Sequence, residues 1–380
     1  MMKLFKRSAD KPTDPSWSAL VNKSTESSSG QFVDAKSAEG ITAVFGCVQA
    51  LSESTACLPL HVYARTEDGE RERAEDHPLS RVLREPNDNQ TGLAFRESLT
   101  ASVLLHGNGY ARKEYNRSGE LTALHPMNPR GVTVVKLDNN RHRYDYTNSD
   151  GKVERLLQDE VFHLRDRTEP GDILGKSRIA VARESLGLSM AVREHGSATF
   201  RNGTRLSGIL ETDRLLSTEQ LNALRMGWEN YTGSKSTGKT FVAPQGITYK
   251  QLSMTLEDAL WVSASQWSTE EICRIFRVPP TLVADLRHGN YSNTVELGQQ
   301  FVRYSLARWI NMWEAEIGRS LLGPIARGRY YVEHSVEGLL RGNPEARADF
   351  YGKAIKDGWM TVAEVRSLEN LPKLSEITAA

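Results

Sequence analysis

Apolar residues in the first part of the chain recur at helical spacing. Between Ala35 and Ala56 they recur every three or four positions, at Ile41, Val44, Phe45, Val48 and Leu51. This period predicts an amphipathic helix. Leu58-Pro59 ends the pattern, because proline lacks the N–H donor that a helix requires. Residues 1–34 before it are largely rich in Ser, Lys and Thr and predict a flexible arm.

Short alternating runs follow between residues 110 and 164, after two helical pieces around 79–83 and 92–105. Turn residues such as Asn116-Arg117-Ser118-Gly119 and Asn148-Ser149-Asp150-Gly151 separate these runs. Short strands divided by tight turns are typical of an antiparallel sheet in which neighbours along the chain pair. The pattern therefore predicts an antiparallel meander over this stretch.

Two long helical patterns then enclose a small insert. The first runs from Ser177, a predicted N-cap, to Phe200, and small residues such as Gly187 along it allow close approach of a neighbour. The second runs from Leu256 to Phe276, where Val278-Pro279-Pro280 must end it. Between them, residues 204–252 have the order β-α-β-β.

The last third of the chain returns to helical periodicity after a loop. Residues 279–292 carry both apolar and basic side chains, and a third long helix extends to Leu322. A strand at Tyr330–His334 and two small helices, over 344–356 and 362–368, complete the pattern. The sequence therefore predicts an α+β fold with several subdomains.

Composition excludes several classes of protein. The chain has 380 residues, with 48 Lys and Arg against 48 Asp and Glu, so its formal net charge is zero. Tight nucleic-acid clamps are disfavoured, because their affinity comes largely from cations that displace counterions from phosphates. No apolar run reaches the ~20 residues that span a bilayer, and no secretory signal follows the basic start Met1–Arg7. We interpret Cys47, Cys57 and Cys273 as reduced core thiols.

One run matches a nucleotide-binding motif letter for letter. Gly233–Thr240 satisfies G-x-x-x-x-G-K-T, which would use Lys239 and Thr240 on phosphate and metal. That chemistry needs a strand before the loop and a helix starting at Lys-Thr. Here a helical pattern ends at Tyr231 and an extended one leaves at Thr240, so an exposed polar connector is favoured over an ATPase site.

The remaining polar and aromatic patterns favour structure over catalysis. Adjacent carboxylates such as Glu270 and Glu271 point about 100° apart on a helix and cannot jointly flank one bond. Neither the histidines nor the cysteines have metal-ligand spacing, so no metal or cofactor is expected. Tryptophans on three helices predict packing in the core or between subunits, and they are Trp228, Trp261, Trp267, Trp309 and Trp313.

Several runs, taken in order, resemble the portal proteins of long-tailed double-stranded-DNA bacteriophages and related prophages. Among them are Leu105-His106-Gly107-Asn108-Gly109-Tyr110, Pro126-Met127-Asn128-Pro129, Phe200-Arg201-Asn202-Gly203, Glu271-Ile272-Cys273-Arg274-Ile275-Phe276-Arg277-Val278-Pro279-Pro280 and Gly358-Trp359-Met360-Thr361. The resemblance extends from about Ala35 to Pro372. It implies a non-enzymatic ring, usually of twelve copies, at one capsid vertex of the virion, assembled in the host cytoplasm.

The resemblance also implies a division of each subunit. After the arm of residues 1–34 come a wing (35–176), a first stem helix (177–203), a clip (204–252), a second stem helix (253–278), a tunnel loop (279–292), a further wing helix and strand (293–340) and a short crown (341–380). The implied partners are double-stranded DNA in the channel, terminase, a head-completion or adaptor protein and the major capsid protein, with no membrane.

The same resemblance assigns candidate residues to these contacts. Leu282, Val283, Arg287 and His288 would face DNA; Trp228, Lys235 and Lys239 on the clip would meet partner proteins; Trp261 and Trp267 would lie between subunits. A sparsely basic channel suits transport, since tightly held phosphates would stall the duplex. Two rival hypotheses remain open: a P-loop nucleotidase that uses Lys239 and Thr240, and a soluble scaffold without a channel.

Overall fold

The computed structural model describes residues 26–66, 71–202, 208–212, 217–231, 247–251, 255–285, 297–335, 344–368 and 371. Its helices are α1 Ala35–Glu39, α2 Thr42–Ala56, α3 Pro78–Arg84, α4 Gly92–His106, α5 Arg178–Val181, α6 Arg183–Asn202, α7 Thr218–Tyr231, α8 Thr255–Phe276, α9 Ala307–Ser320, α10 Ala326–Arg329, α11 Pro344–Lys356 and α12 Val362–Leu368. Its strands are β1 Leu60–Arg65, β2 Arg71–Arg73, β3 Asn108–Tyr115, β4 Leu121–Met127, β5 Val132–Lys136, β6 His142–Thr147, β7 Val153–Leu157, β8 Val161–Arg165, β9 Gly208–Thr212, β10 Ile247–Gln251 and β11 Tyr330–His334. The α+β class predicted from the sequence is confirmed.

The strands between residues 108 and 165 form two sheets, so the prediction of one meander is wrong. β5, β6 and β7 form a meander, but β8 pairs with β3 in a second sheet of order β4-β3-β8. In the β3–β8 register Ala111 lies opposite Phe162, and both side chains are fully buried. β3 is buried on both faces over most of its length. Its sequence therefore shows no alternation of buried and exposed positions, and the pattern could not indicate which strand lies beside it.

A third sheet joins distant parts of the chain. β1 lies between β2 and β11, with Val62 opposite Val332. The strand Tyr330–His334 predicted from sequence has the observed bounds, and its partner is about 270 residues earlier. No local pattern specifies such a pairing, because it depends on which apolar faces the compact chain brings together.

The main core lies between α2, α4, α9 and the β3–β8 pair. Trp309 and Trp313 are each only 1% exposed, which confirms the predicted packing role for these two residues. The Trp313 ring packs against Phe95 and Phe162, and its Nε1–H donates to Thr100 Oγ1 at 3.0 Å. A buried indole of this kind combines a large apolar area with one satisfied donor.

A buried polar group joins the two sheets. His163 on β8 bonds Asn108 Oδ1 through Nε2 at 2.9 Å and Tyr144 Oη through Nδ1 at 3.1 Å. Asn108 Oδ1 also accepts from the Gly175 N–H, so it can only be an acceptor and His163 Nε2 must donate. Burial, together with the charge of Arg165, lowers the pKa of His163 to about 3. The imidazole is therefore neutral at physiological pH.

The predicted helix over residues 35–56 is divided into α1 and α2. Asp34 caps α1 by accepting from the Ser37 N–H at 2.7 Å, and α1 ends before Gly40-Ile41. α2 buries Val44, Val48 and Leu51 at the predicted spacing, but Phe45, which was predicted on the same face, is 44% exposed. The periodicity continues across the break because Ile41 is buried in the connection itself.

Residues 26–34 are packed against the first long helix, so the predicted flexible arm is wrong for this part; residues 1–25 lie outside the described residues. Ser27 is buried, and a Cβ on Gly187 would lie 2.1 Å from Ser27 Oγ. Gln31 Nε2 donates to Glu194 at 2.6 Å. Glycine at position 187 is what lets a segment of the same chain approach α6 so closely.

The cysteines only partly match their prediction as core thiols. Cys47 and Cys273 are buried, whereas Cys57 is exposed. A hydrogen bond to Cys273 and burial both raise the pKa of the Cys47 thiol. Over the described part of the chain, no helix combines the length and hydropathy needed to cross a bilayer.

Candidate functional site

The two long helices α6 and α8 pack against each other and carry the insert at their far ends. In the insert, β9 pairs antiparallel with β10, and Ile209 lies opposite Lys250. α7 lies between these strands in sequence and begins at the predicted capping box of Ser217 and Gln220. The predicted third strand, near residues 240–243, lies outside the described residues. The described elements, a strand, a helix and a strand, agree with the predicted order β-α-β-β apart from that undescribed strand.

Asp166, Arg178 and Arg308 form an ion-pair cluster where α5, α8 and α9 meet. The Asp166 carboxylate accepts from Arg178 Nε at 2.8 Å and from Arg308 Nη2 at 2.5 Å. Arg178 Nη1 also donates to the Phe276 carbonyl at 3.1 Å. Arg178 begins α5, Phe276 ends α8, and Arg308 lies at the start of α9. The Asp166 carboxylate therefore connects the starts of α5 and α9 directly, and it reaches the end of α8 through Arg178.

The surroundings of this cluster favour its charged form. Both guanidinium groups lie over the Trp309 ring, with centroid distances of 5.4 Å for Arg178 and 5.8 Å for Arg308. Burial alone would raise the pKa of the Asp166 carboxyl, but the nearby Arg178 and Arg308 outweigh it and hold that pKa below its ordinary value. The sequence analysis missed this cluster, because its members are separated by up to 142 residues and share no motif.

The end of α8 leads directly into the predicted loop. Arg277 has a left-handed backbone with φ of 59°, and its carbonyl accepts a hydrogen bond from Ser305 Oγ. The helix ends at Phe276, as the Val278-Pro279-Pro280 run predicted. Residues Pro280–Val283 then form a 3₁₀ turn, and residues Phe301–Leu306, which precede α9, are π-helical.

The turn Pro280–Val283 is seated on α2. A Cβ added to Gly46 would lie 3.2 Å from Val283 Cγ1, so glycine permits this close contact. Val283 is half-buried, whereas Leu282 is 46% exposed. Of the four predicted DNA-facing residues, Leu282 and Val283 therefore lie on one anchored turn, and Arg287 and His288 lie outside the described residues.

The predicted residues of the clip and the subunit interface are described only in part. Trp228 lies on α7 and Trp261 on α8, but their side chains lie outside the described set. Trp267 is 46% exposed on α8. Lys235 and Lys239 fall within residues 232–246, which are also outside it. A groove at the end of α8, lined by Arg274, Val278, Pro280, Phe301 and Tyr304, was not predicted.

The described flanks of the G-x-x-x-x-G-K-T run are a helix before it and a strand after it. α7 ends at Tyr231, and the next described segment is β10, which begins at Ile247. A phosphate-binding loop requires a strand before it and a helix after it. The described flanks therefore do not provide the helix N-terminus that such a site uses.

Glu270 and Glu271 of α8 are paired with Arg274 on the helix surface. Arg274 lies 2.6 Å from Glu271 and 3.6 Å from Glu270, at the spacings of three and four residues that neighbours on a helix adopt. Within the described ranges, no group of three or more His, Cys, Asp or Glu side chains is arranged to hold a metal. These carboxylates have the surroundings of a solvated helix face.

Comparison with known proteins agrees with this architecture. The family described as "Phage portal protein" matches residues 42–370. The portal protein of Enterobacteria phage HK97 is 31% identical over 339 residues, covering 88% of this chain and 79% of that protein. The probable portal protein of Streptomyces phage phiC31 is 28% identical and covers 96% and 81%. A chain from the neck of a native gene transfer agent particle, computed with C12 symmetry, has the same fold, with a TM-score of 0.63, 23% identity and coverage of 88% and 91%. The chain belongs to the phage portal protein family.

Proposed function

We propose that this chain is the repeating subunit of a closed ring that forms the DNA channel at one vertex of a phage-like capsid. The proposal rests on one observation: in this portal-family chain, two long helices pack against each other and enclose a small folded insert. Copies related by rotation around an axis would place these helix pairs side by side around a hole. The C12 symmetry of the gene transfer agent neck supports twelve as the copy number.

The subdomains follow from this arrangement. Residues 35–176 and 293–340 would form the wing, α5–α6 and α8 the stem, residues 204–252 the clip, residues 279–292 the tunnel loop and residues 341–380 the crown. The arm would consist of residues 1–25, since residues 26–34 pack on α6. The Asp166 cluster would then lie at the junction of stem, tunnel loop and wing.

The tunnel loop would face the duplex through Leu282, Val283, Arg287 and His288. An exposed Leu282 beside a half-buried Val283 supports a loop that is anchored at its base. The zero net charge and the pairing of Glu270 and Glu271 on α8 with Arg274 support weak phosphate contact. Weak contact lets a duplex slide, because each neutralised phosphate adds to a salt-dependent affinity.

The clip would bind terminase during packaging and a head-completion protein afterwards, through Trp228, Lys235 and Lys239. The wing would contact the major capsid protein. Trp267, with Trp261, would pack against the neighbouring subunit, since a large aromatic side chain that is half-exposed in one copy gains most from burial against another. Assembly would take place in the host cytoplasm, and the ring would stay in the virion without catalysing a reaction.

Electron microscopy of the purified full chain tests the proposal. We expect rings with a central hole, and variant Trp267→Ser should form fewer of them than Tyr115→Ser, a matched change of a 46% exposed aromatic residue on β3. Assemblies without a hole would support a scaffold instead. Hydrolysis of Mg-ATP that disappears in Lys239→Ala would support the nucleotidase and contradict the proposal.

A further inference from the structure

Two of the three cysteines lie in contact inside the main core. Cys47 on α2 and Cys273 on α8 are far apart in sequence, yet both belong to the same buried apolar cluster, in a region where these two helices pack together. Cys47 is fully buried and Cys273 is 3% exposed. The Cys47 S–H donates a hydrogen bond to Cys273 Sγ. Both residues are free thiols, so the fold brings two sulfur atoms together without joining them.

The hydrogen bond makes the two thiols chemically unequal. Because Cys47 is the donor, the bond to Cys273 and burial both raise its pKa, and Cys47 stays protonated. The same bond lowers the pKa of Cys273 and outweighs burial and the carboxylates of Asp285 and Glu270, which act in the opposite direction. The thiolate is the nucleophilic form of cysteine. Cys273 is therefore the more reactive member, with a protonated thiol held beside it.

Cys273 also borders the groove at the end of α8. This groove has a volume of about 430 Å³, and its other walls include Pro280, Phe301 and Tyr304. Cys47 is not among the residues that line it. A small uncharged molecule that enters the groove thus meets Cys273 first, and Cys47 lies behind it in the core. A low-pKa thiolate that solvent can reach, next to a second cysteine, is the arrangement found in thiols that respond to oxidants.

We propose that Cys273 and Cys47 form a redox-active pair, in which hydrogen peroxide oxidises Cys273 and Cys47 then closes a disulfide between α8 and α2. In the first step the Cys273 thiolate attacks one peroxide oxygen, the O–O bond breaks, and a sulfenic acid and hydroxide form. In the second step the Cys47 sulfur attacks the sulfenic sulfur, and the S–S bond forms as the S–O bond breaks. The Cys47 proton leaves with the hydroxyl group as water. The two thiols lose two electrons in total, and the peroxide gains them.

The disulfide would fix the base of the predicted tunnel loop. Cys47 is next to Gly46, where an added Cβ would lie 3.2 Å from Val283 Cγ1 of the anchored turn. Cys273 lies in the last turn of α8, which leads into that turn. A bond between the two cysteines would therefore join the seat of the turn to the helix that precedes it. The reducing cytoplasm keeps such pairs as thiols, so the bond would form after the particle leaves the host cell. This consequence rests on the proposed function, whereas the thiol chemistry does not.

Treatment of the purified full chain with hydrogen peroxide tests the pair. A Cys57→Ser background removes the exposed third thiol. After alkylation of the remaining thiols, mass spectrometry of the digested protein should show one peptide pair joined through Cys47 and Cys273, which dithiothreitol separates. The protein should remain a single chain on a denaturing non-reducing gel. Two alkylated cysteines, a link between two copies, or a sulfinic acid at Cys273 without a disulfide would each overturn the inference.

Single substitutions in the same background test the order of the two steps. Cys47→Ser keeps a hydrogen-bond donor but cannot close the disulfide, so a sulfenic acid on Cys273 should accumulate and react with dimedone. Labelling of Cys47 in Cys273→Ser should be at least about tenfold weaker, because one unit of pKa changes the thiolate fraction about tenfold. Cys47→Ala removes the donor and should slow labelling of Cys273 relative to Cys47→Ser. Equal labelling of the two cysteines would overturn the assignment of Cys273 as the nucleophile. The cross-link in the Cys57→Ser chain does not depend on whether these variants fold.

Hydrogen exchange separates this inference from the proposed function. Amides of residues 280–285 should exchange more slowly in the peroxide-treated protein than in the reduced protein, and dithiothreitol should restore the faster exchange. A disulfide that leaves this exchange unchanged would overturn its role at the tunnel loop. Protein that forms the disulfide but no rings would contradict the proposed function and support the redox pair.

Discussion

Replacing Asp166 with asparagine removes the charge that holds two arginines at the base of the long helices. Asparagine has the same shape as aspartate. It can still accept the hydrogen bond that the Arg167 N–H donates to Asp166 Oδ1, with a distance of 2.7 Å. It leaves Arg178 and Arg308 facing a neutral amide. The Asp166 side chain is only 6% exposed and that of Arg178 14%, so water cannot replace the lost charge fully.

The magnitude follows from burial. Removing one partner of a buried ion pair costs about 3–5 kcal/mol. Arg308 is 37% exposed, and asparagine keeps one acceptor, so we expect about 2–4 kcal/mol here. At about 1–1.5 °C per kcal/mol for a chain of this length, Tm should fall by about 2–6 °C. Amides near residues 275–285 should also exchange faster, since Arg178 holds the carbonyl of Phe276.

Thermal unfolding of Asp166→Asn and Asp159→Asn provides the comparison. Asp159 pairs with Arg141 at the surface, with side chains 80% and 49% exposed, and such pairs contribute about 0–1 kcal/mol. Equal losses of stability in the two variants would refute the conclusion that Asp166 holds the ends of α5, α8 and α9 together. A double-mutant cycle with Arg178→Gln should give a coupling energy of at least about 1 kcal/mol.

Three further predictions concern the packing and the buried polar group. Gly187→Val should displace residues 26–34 from α6, because its Cβ would lie 2.1 Å from Ser27 Oγ; faster proteolysis before residue 35 measures this, and unchanged cleavage would contradict it. Gly318→Ala, where a Cβ meets nothing within 4 Å, should raise the unfolding free energy by about 0.5–1 kcal/mol in urea titration, and any loss would contradict the open space. The pKa of His163 is lowered to about 3, whereas an unfolded histidine titrates near 6.5, so stability should be complete above pH 6.5 and fall as pH drops toward 3. By pH 5 the loss should be about 2 kcal/mol, and His163→Gln should lack this part of the pH dependence.

Local patterns predicted most of the elements. The bounds of β11 and the end of α8 at Phe276 followed from alternation and from the two prolines. The burial of Trp309 and Trp313 followed from their place among apolar residues at helical spacing. In each case the feature depends on residues only a few positions apart. At that range, backbone geometry and the period at which side chains repeat determine which side chains share a face.

Other features could not be predicted because their causes are distant in sequence. The pairing of β8 with β3, the docking of Ser27 on Gly187 and the Asp166 cluster each join segments that meet only after the chain is compact. For the candidate site, the sequence located the loop at Leu282 and Val283, but only the fold showed that Gly46 lets its base sit on α2.

The sequence by itself determined the class of fold, the two long helices around a small insert and, through ordered runs of residues, the family. The tertiary structure decided which strands pair, which carboxylate connects the ends of α5, α8 and α9, and which aromatic side chains remain exposed to solvent. The physical reason is that propensity and periodicity depend on near neighbours. Burial and ion pairing depend instead on which surfaces the whole chain brings together.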